Sequence, residues 1–344
     1  MTSHPDIAPP DGVPAPLPIK TVRMSRTRRQ ASPTQRAGLV WLALATVYVV
    51  WGSTYLGIRI VTESLPAFGS AALRFTLAAT IGAAFLLVRR GPAALRLRPA
   101  QFGAVAVVGA MLIAGGNGFV VLAESPRFGL PSGLAALLVA LGPLTLVVMR
   151  AVTGDRPRPT TVLGVLVGFA GLVILFTPGL NSTSGGNPAH AAPVPLVGGL
   201  LVLLGTLSWS AGSFLTAWLP MPADPFVASV YEMIAGALVL STISVTRGEW
   251  RGFDPAAVPA KAWIALGYLV VFGSLMAFTA YAWLLHHAPI SLVSTNAYVN
   301  PVIALALGAV FAAEALSGRM LVSAAVVVIG VILVVSTERR SRSK

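Results

Sequence analysis

Two ionisable residues lie within apolar stretches of this sequence, where a charge is costly. Arg74 follows Phe68 by six residues, and Glu232 follows Phe226 by six residues. An ionised side chain at the centre of a membrane helix costs ~2.5–3.5 kcal/mol on insertion scales. Such a residue needs a partner, a water-filled cavity or a solute. The functional interpretation is a substrate-facing or gating pair. The structural one is either a buried ion pair or two side chains whose ends reach the membrane interface.

Aromatic residues and an arginine recur at helical spacing near the start of the apolar sequence. On a helix, one face would carry Tyr48, Trp51, Tyr55 and Arg59. The guanidinium fork of arginine suits a carboxylate, so this face could hold an organic anion or a zwitterion. The alternative is an aromatic belt at the membrane interface. Ser53, on a second face of small residues, is a further cavity candidate.

The stretch from Pro289 to Glu314 is long and apolar enough to cross a membrane, yet it is rich in polar residues. These are Ser291, Ser294, Thr295, Asn296, Tyr298 and Asn300. Hydrocarbon tolerates such groups poorly, so we expect this helix inside a bundle. Pro301, near its middle, removes a backbone hydrogen bond and predicts a kink. Asn300 could contact a solute or cap the backbone groups that Pro301 frees.

Proline spacing repeats between the two halves of the chain. Pro131 and Pro143 are twelve residues apart, as are Pro289 and Pro301. Because proline interrupts the hydrogen bonding of a helix, Pro143 and Pro301 are hinge candidates.

Further polar residues complete the predicted cavity. The run Gly115-Gly116-Asn117-Gly118 lacks the lysine of a phosphate loop. Its glycines are suited to close helix packing, and Asn117 offers a polar contact. The full set of predicted substrate-binding or cavity residues is Trp51, Ser53, Tyr55, Arg59, Arg74, Asn117, Trp209, Glu232, Tyr281, Asn296, Tyr298 and Asn300.

The composition indicates the class of protein. The 344 residues are 56% hydrophobic and 10% charged, with a mean hydropathy of +0.81, whereas about a quarter of the residues are charged in soluble domains. The chain is therefore predicted to be an all-α integral membrane protein. Its net charge of +13 comes from basic residues at helix ends and tails, which favours membrane topology over nucleic-acid binding.

Ten apolar segments, each near the ~20 residues that span a bilayer, organise the chain. They lie near 38–58, 68–88, 102–123, 131–150, 160–177, 195–217, 226–246, 263–285, 290–313 and 319–337. The predicted domains are a disordered basic tail (1–37), a first repeat of five helices (38–178), an external linker (179–194), a second repeat of five helices (195–337) and a basic tail (338–344). Lysine and arginine concentrate on the side that holds both termini, which predicts cytoplasmic termini.

The two halves of the chain look duplicated. The run from Trp51 to Ser53 in the first segment corresponds to the run from Trp209 to Ser213 in the sixth. Arg74 and Glu232 then occupy equivalent positions. Because five spans is an odd number, the second repeat is expected to be inverted in the membrane, as in secondary transporters.

A face of small residues marks the fifth segment: Gly164, Gly168 and Gly171. Such a face permits close helix contact. We expect that contact within the chain, and a homodimer seam is the alternative.

Several of these motifs, in order and spacing, resemble the EamA-type transporters of the drug/metabolite transporter superfamily. The motifs are WGSTYLGIR, PAFGSAALRF, GGNGFVVLAE, PSGLAALLVALGPL, GVLVGFAGLVIL, LGTLSWSAGSF and AYVNPVIALALGAVFAAEAL. The resemblance covers about 38–337 and is closest to bacterial inner-membrane amino-acid or metabolite exporters. It implies ten transmembrane helices in two inverted five-helix repeats, cytoplasmic termini and a central cavity for a small solute. Gly154-Asp155 departs from the family's usual Gly-Glu pair.

The predicted function is that of a secondary transporter that exports amino acids or related metabolites by alternating access. Membrane lipid and a small solute are its expected partners, and no cofactor or metal is expected. The chain has no cysteine, and the His286-His287 pair has no acidic or histidine neighbour in sequence. Glu124 and Glu314 are expected at the membrane interface and not in proton coupling. The alternative function is a membrane enzyme acting on a lipid or prenyl substrate, which would need clustered acids or histidines.

Overall fold

The computed structural model describes residues 33–154, 157–176, 195–288, 290–293, 295–312, 314 and 316–342. The regular elements in these ranges are helices. The long helices, numbered in chain order, are α1 (Pro33–Thr62), α2 (Ala67–Arg90), α3 (Pro99–Glu124), α4 (Ser132–Val152), α5 (Pro159–Phe176), α6 (Leu196–Leu215), α7 (Pro225–Thr246), α8 (260–287), α9 (Asn296–Phe311) and α10 (Gly318–Arg342). Short 3₁₀ turns at Pro92–Leu95 and Pro255–Ala257 precede α3 and α8.

Eight helices of the described chain are long and apolar enough to cross a membrane, which confirms an all-helical protein with many spans. The other two, α5 and α9, are shorter apolar helices. The predicted linker 179–194 and the pair Asp155-Arg156 lie outside the described residues. At the ends, α1 begins at Pro33 and α10 continues to Arg342, so both helices extend into the segments predicted as tails.

The predicted single helix over 290–313 is wrong, because the structure has a short helix, Ile290–Val293, before α9. Thr295 donates its backbone N–H and its hydroxyl to the Leu292 carbonyl, at 3.2 and 2.5 Å, which closes the short helix. Pro301 consequently lies in the second turn of α9 and not near the middle of a long helix. In this second turn, fewer intrahelical hydrogen bonds lie before the proline than at the centre of a long helix, so the proline disrupts the helix less.

A second interruption divides α4 into Ser132–Val139 and Gly142–Val152. Pro143 is in the first turn of the second part, where the backbone N–H that proline lacks would have no intrahelical acceptor. The break therefore lies immediately before one of the two predicted hinge prolines.

Two π-helical segments interrupt helices that correspond between the halves. In α3 the segment is Ala110–Asn117, and in α8 it is Leu269–Met276. A π turn widens the helix and leaves backbone groups free for other partners, often at functional sites. These segments were not predicted from the apolar pattern.

Helix neighbours also correspond between the halves. Helix α1 packs against α8 and α9, and α6 packs against α3 and α4. The pairs α2–α7, α5–α10 and α4–α9 each join one helix of one half to its counterpart in the other.

The glycine face of α5 packs against α10, which confirms the expectation of a contact within the chain. A Cβ added at Gly330 would lie 2.7 Å from the Gly164 carbonyl oxygen, so the two backbones touch. Ser323 also donates its hydroxyl to the Gly171 carbonyl at 2.7 Å. This face is therefore occupied and does not provide a free dimer seam.

Candidate functional site

Arg74 is a buried arginine whose guanidinium reaches the π segment of α8. Its exposed fraction is 5%. Nε donates to the Ser274 hydroxyl at 2.9 Å, whereas Nη1 is buried and has no hydrogen-bond partner in the described part of the chain. A Cβ added at Gly273 would lie 3.3 Å from Nη2, so the absence of a side chain there lets the guanidinium approach α8. Arg74 therefore keeps one donor nitrogen free in the protein interior.

Trp51 reaches the same turn of α8 from α1. Its indole Nε1 donates to the Gly273 carbonyl at 3.3 Å. Its ring contacts Tyr281 and Phe278, with centroids 5.0 and 5.5 Å apart. The π segment places the Gly273 carbonyl where the indole can use it. The structure thus brings three predicted residues, Arg74, Trp51 and Tyr281, to one region of the bundle.

Hydroxyl pairs connect α1 to the helices beside it. Ser53 and the Tyr268 hydroxyl are 2.5 Å apart, and Tyr48 is hydrogen-bonded to Thr295. Tyr268 and Ser274 are site residues that the sequence analysis missed. Their only signal was an apolar segment that carried both a tyrosine and a serine.

A cavity beside Arg74 is very small, about 10 Å³, which is near the minimum that holds one water molecule. Ile58, Val121 and Leu269 are among its lining residues. Arg74 therefore has no room for an organic solute in this conformation. A solute could reach it only if the surrounding helices move.

Glu232 does not contact Arg74. No ion pair between described residues joins them, so the interpretation as a structural ion pair is wrong for this conformation. Glu232 is half-buried on α7, where its backbone packs against Gly109 of α3. The two residues face different helices: Arg74 faces α8 and Glu232 lies beside α3.

In the second half of the chain, α6 carries the residues that correspond to those of α1, and these residues pack against α3. Ser208 of α6 donates to the Met111 carbonyl of the α3 π segment at 2.8 Å. A Cβ added at Gly116 would lie 2.8 Å from the Trp209 ring, so this tryptophan packs on a glycine of α3. The Asn117 amide donates to the Leu112 carbonyl of its own helix at 3.4 Å. Trp209 therefore serves a contact between α6 and α3, and Asn117 bonds within α3.

The polar residues of α9 are half-buried. Asn296, Tyr298 and Asn300 all lie in its first turns. The side-chain oxygen of Asn300 is buried without a donor, and no hydrogen bond of its side chain is found among the described residues. The predicted cap on backbone groups freed by Pro301 is thus not formed, and Asn300 keeps a free acceptor.

An acidic cluster lies where α1, α3 and α9 end and α4 begins. Arg59 and Glu314 form an ion pair with 3.2 Å between Nη1 and Oε1. Glu314 also accepts from the Ser132 backbone and hydroxyl, both at 2.8 Å, and from the Gly133 N–H at 3.3 Å. Arg59 is therefore bound to a protein carboxylate in this conformation, and not free for a solute.

Glu124 belongs to the same cluster as Arg59, Glu314 and Ser132. Glu124 is 3% exposed, and both of its carboxyl oxygens lack a hydrogen-bond partner among the described residues. The Glu314 side chain is 4% exposed. Both acids lie at helix ends, as expected, but they are buried between helices and not exposed there. Gly308, which has no side chain, leaves room for Glu314 to fold back onto α4.

These features define a class: a polytopic helical membrane protein with two corresponding halves and polar residues held between its helices. The EamA-like transporter family model matches residues 36–177 and 196–336. The chain therefore belongs to the EamA-like transporter family, which is a family of transporters and not of enzymes. Each half matches the model separately, which supports a duplicated chain.

Individual relatives are transporters too. The chain is 36% identical over 293 residues to the uncharacterized inner membrane transporter YedA of Escherichia coli K12, covering 85% of this chain and 89% of that protein. It is 25% identical over 297 residues to a probable amino-acid metabolite efflux pump of Salmonella typhimurium, covering 84% of this chain and 92% of the pump.

Two other matches extend this comparison. A probable terminal-alkyne amino-acid exporter of Streptantibioticus cattleyicolor is 24% identical over 297 residues, with 86% of this chain and 92% of the exporter covered. A chain of known crystal structure superposes with a TM-score of 0.57 at 26% identity, covering 90% of this chain and 99% of that chain.

Proposed function

We propose that this transporter exports amino acids or related small metabolites across the cytoplasmic membrane of a bacterium. The observation that carries the proposal is Arg74, a buried arginine with one donor nitrogen free beside Trp51. A guanidinium in a dry site binds carboxylates by charge-assisted hydrogen bonds, and an aromatic neighbour adds apolar contact. The exporter names of two relatives support the same substrate class.

We place the substrate between α1, α2, α8 and the start of α9. Arg74 would take the carboxylate, and Trp51 with Tyr281 would contact the side chain of the solute. The free acceptor of Asn300 is suited to an ammonium group.

A groove of about 410 Å³ between α2 and α7 is larger than the cavity beside Arg74, but its lining, which includes Thr80, Leu87 and Leu238, has no charged residue. A lipid chain fits that groove better than an amino acid.

The transport mechanism that we propose is alternating access by two inverted repeats of five helices, with all ten helices crossing the membrane. The matched neighbours of α1 and α6, and the π segments of α3 and α8, support the repeat. Five spans per repeat then require inversion, and the excess of basic residues on the side of the termini supports cytoplasmic termini. Pro143 and Pro301, each close to a helix break, are our hinge candidates.

The test is efflux from proteoliposomes. The purified chain is reconstituted into vesicles loaded with a mixed panel of amino acids and related metabolites, and the contents are followed by mass spectrometry. We expect selective loss of one class of amino or carboxylic acid, and strong reduction of that loss in Arg74→Gln. Arg127→Gln is the matched control, because Arg127 is an exposed loop arginine. No selective loss with well-folded protein would contradict the proposal.

A further inference from the structure

Glu124 is the most unusual ionisable group of the described chain. It lies at the last residue of α3, it is 3% exposed, and neither carboxyl oxygen receives a hydrogen bond. A buried carboxylate without donors is strongly disfavoured relative to the neutral acid. In the conformation of the structure, Glu124 is therefore protonated.

Its neighbour Glu314 has the opposite environment. Four donor groups bind Glu314: Arg59 Nη1, the Ser132 backbone and hydroxyl, and the Gly133 N–H. These donors satisfy an ionised carboxylate. Two carboxyls in one site that share a single arginine cannot both be charged at low cost, so the donors assign the charge to Glu314 and the proton to Glu124.

Among the described residues, few charged groups lie near enough to Glu124 to compensate a negative charge on it. Glu314 and Arg59 interact with it electrostatically, as does Tyr55 on α1. Of the other helices packed against α3, α6 has no charged residue, and α4 has one only at Arg150, near its far end. Helix α7 has one only at Glu232, which lies beside Gly109, far from Glu124 along α3. On α2 the buried Arg74 is bound to Ser274 of α8. Arg59 is thus the cation that could serve Glu124, and Glu314 holds it in this conformation.

The contacts that hold this arrangement are between different helices. Arg59 is on α1, Glu314 follows α9, and Ser132 begins α4. Separation of these helix ends would break the Arg59–Glu314 ion pair and admit water. Arg59 would then be free to pair with an ionised Glu124. Closing the same ends requires Glu124 to be neutral again.

We propose that Glu124 is the proton-binding site that couples closure of this end of the transporter to proton uptake. The proton forms an O–H bond at a Glu124 carboxyl oxygen when the helix ends close, and it leaves to water when they open. In the topology proposed above, this end faces outside the cell, where the proton-motive force delivers protons. A proton that enters and leaves at this one end is not carried across the membrane, so Glu124 acts as a pH-dependent latch of the proposed exporter, and this part of the inference rests on the proposed function.

Sodium is a poorer candidate for this site. A metal cation needs several oxygen ligands, whereas the oxygens of Glu314 are already occupied by N–H and O–H donors. Glu124 alone supplies two oxygens. Because hydrogen-bond donors already occupy the Glu314 oxygens, the site is suited to a proton and not to a metal cation.

The test measures the distance between helix ends and does not require a known substrate. The chain has no cysteine, so spin labels can be placed at Ser64→Cys after α1 and at Gly318→Cys after α9. A Cβ at Gly318 meets nothing within 4 Å. Pulsed electron paramagnetic resonance in phospholipid nanodiscs follows the distance between about pH 5 and about pH 9, the range in which buried carboxyls titrate.

With Glu124 present, we expect a short distance at low pH and a growing long-distance population as the pH rises. Glu124→Gln, which imitates the protonated acid, should keep the short distance throughout. Glu124→Leu is a second neutral variant, if the glutamine variant does not fold. Glu63→Gln, a change at an exposed acid, is the matched control and should titrate like the parent.

A distance independent of pH in the parent, or an unchanged titration in both Glu124 variants, would overturn the proposal. A response to sodium at constant pH would also overturn it, because it would assign another ion. In proteoliposomes, efflux by the parent should fall as the pH at this end falls, whereas Glu124→Gln, which stays closed, should show low efflux at every pH. A pH-dependent distance without any flux would refute the proposed function and leave the proton site standing.

Discussion

Arg59 and Glu314 are 255 residues apart in the sequence, and they form an ion pair of 3.2 Å that joins α1 to the end of α9. Glu314 at the same time accepts the first N–H groups of α4, as a carboxylate at a helix N-terminus does. One side chain therefore ties three helices together at one end of the molecule. This arrangement gives the first prediction.

Glu314→Gln should destabilise the protein and favour opening of this helix end. The amide keeps one acceptor oxygen but presents its NH₂ group to donors, and buried hydrogen bonds to a charged group contribute about 1.5–3 kcal/mol each. Thermal unfolding in detergent should show a clear decrease in melting temperature. Glu63→Gln provides the comparison, because the Glu63–Lys261 pair is exposed and such pairs contribute about 0–1 kcal/mol. Equal melting temperatures for the two variants would contradict the assigned role of Glu314.

Gly330→Ala should weaken the α5–α10 contact. The added Cβ would lie 2.7 Å from both the Gly164 carbonyl oxygen and the Gly168 Cα. These are backbone atoms, which cannot move aside as the end of a flexible side chain can. Overpacking of this kind costs about 1–3 kcal/mol. Gly318→Ala on the same helix should be nearly neutral, since its Cβ would meet nothing. Denaturation of both variants side by side measures the difference, and an equally stable Gly330→Ala would show that the helices are more loosely packed.

Asp224 should stabilise the start of α7 in a pH-dependent manner. Partial burial raises its pKa, but hydrogen bonds from Arg90 and from the Phe226 and Val227 N–H groups outweigh this and hold the pKa below its ordinary value of 3.8. Its stabilisation is then complete above that ordinary value and is lost as the pH falls through the lower folded-state pKa. The side chain is 35% exposed, so solvent screening keeps the ion-pair part small.

Asp224→Ala should therefore cost about 1 kcal/mol at neutral pH, mostly through loss of the helix cap. The difference in unfolding free energy between parent and variant should shrink on acidification below the ordinary pKa. Asp224→Asn, which can still cap the helix, should cost less. A difference that grows at low pH would have the wrong sign for this account.

Exchange of the charges of Arg74 and Glu232 should not restore transport. Residues that do not interact show nearly additive effects, and Arg74 faces Ser274 whereas Glu232 lies beside Gly109. The single variants Arg74→Glu and Glu232→Arg and the double variant form a cycle for flux in proteoliposomes. Recovery of flux in the double variant would indicate that the two side chains meet in another conformation.

The sequence predicted the helices well, because apolar length, glycine faces and proline positions are local signals. It could not predict the π segments of α3 and α8, since one extra residue in a turn leaves the apolar composition unchanged. The break before α9 was missed because Ser294 and Thr295 read as polar residues of one long helix. Pairs such as Arg59–Glu314 and Arg74–Ser274 depend on which helices pack together. For the same reason the sequence did not show that Glu124 and Glu314 are buried between helices.

The most direct test of the central claim is recognition of the substrate carboxylate by Arg74. Proteoliposomes are loaded with the exported amino acid identified by the panel, or with its uncharged carboxamide, and efflux is compared in the parent and Arg74→Gln. We predict that the parent strongly prefers the carboxylate and that Arg74→Gln loses this preference while remaining folded. A variant that still discriminates the carboxylate from the amide as the parent does would contradict the account.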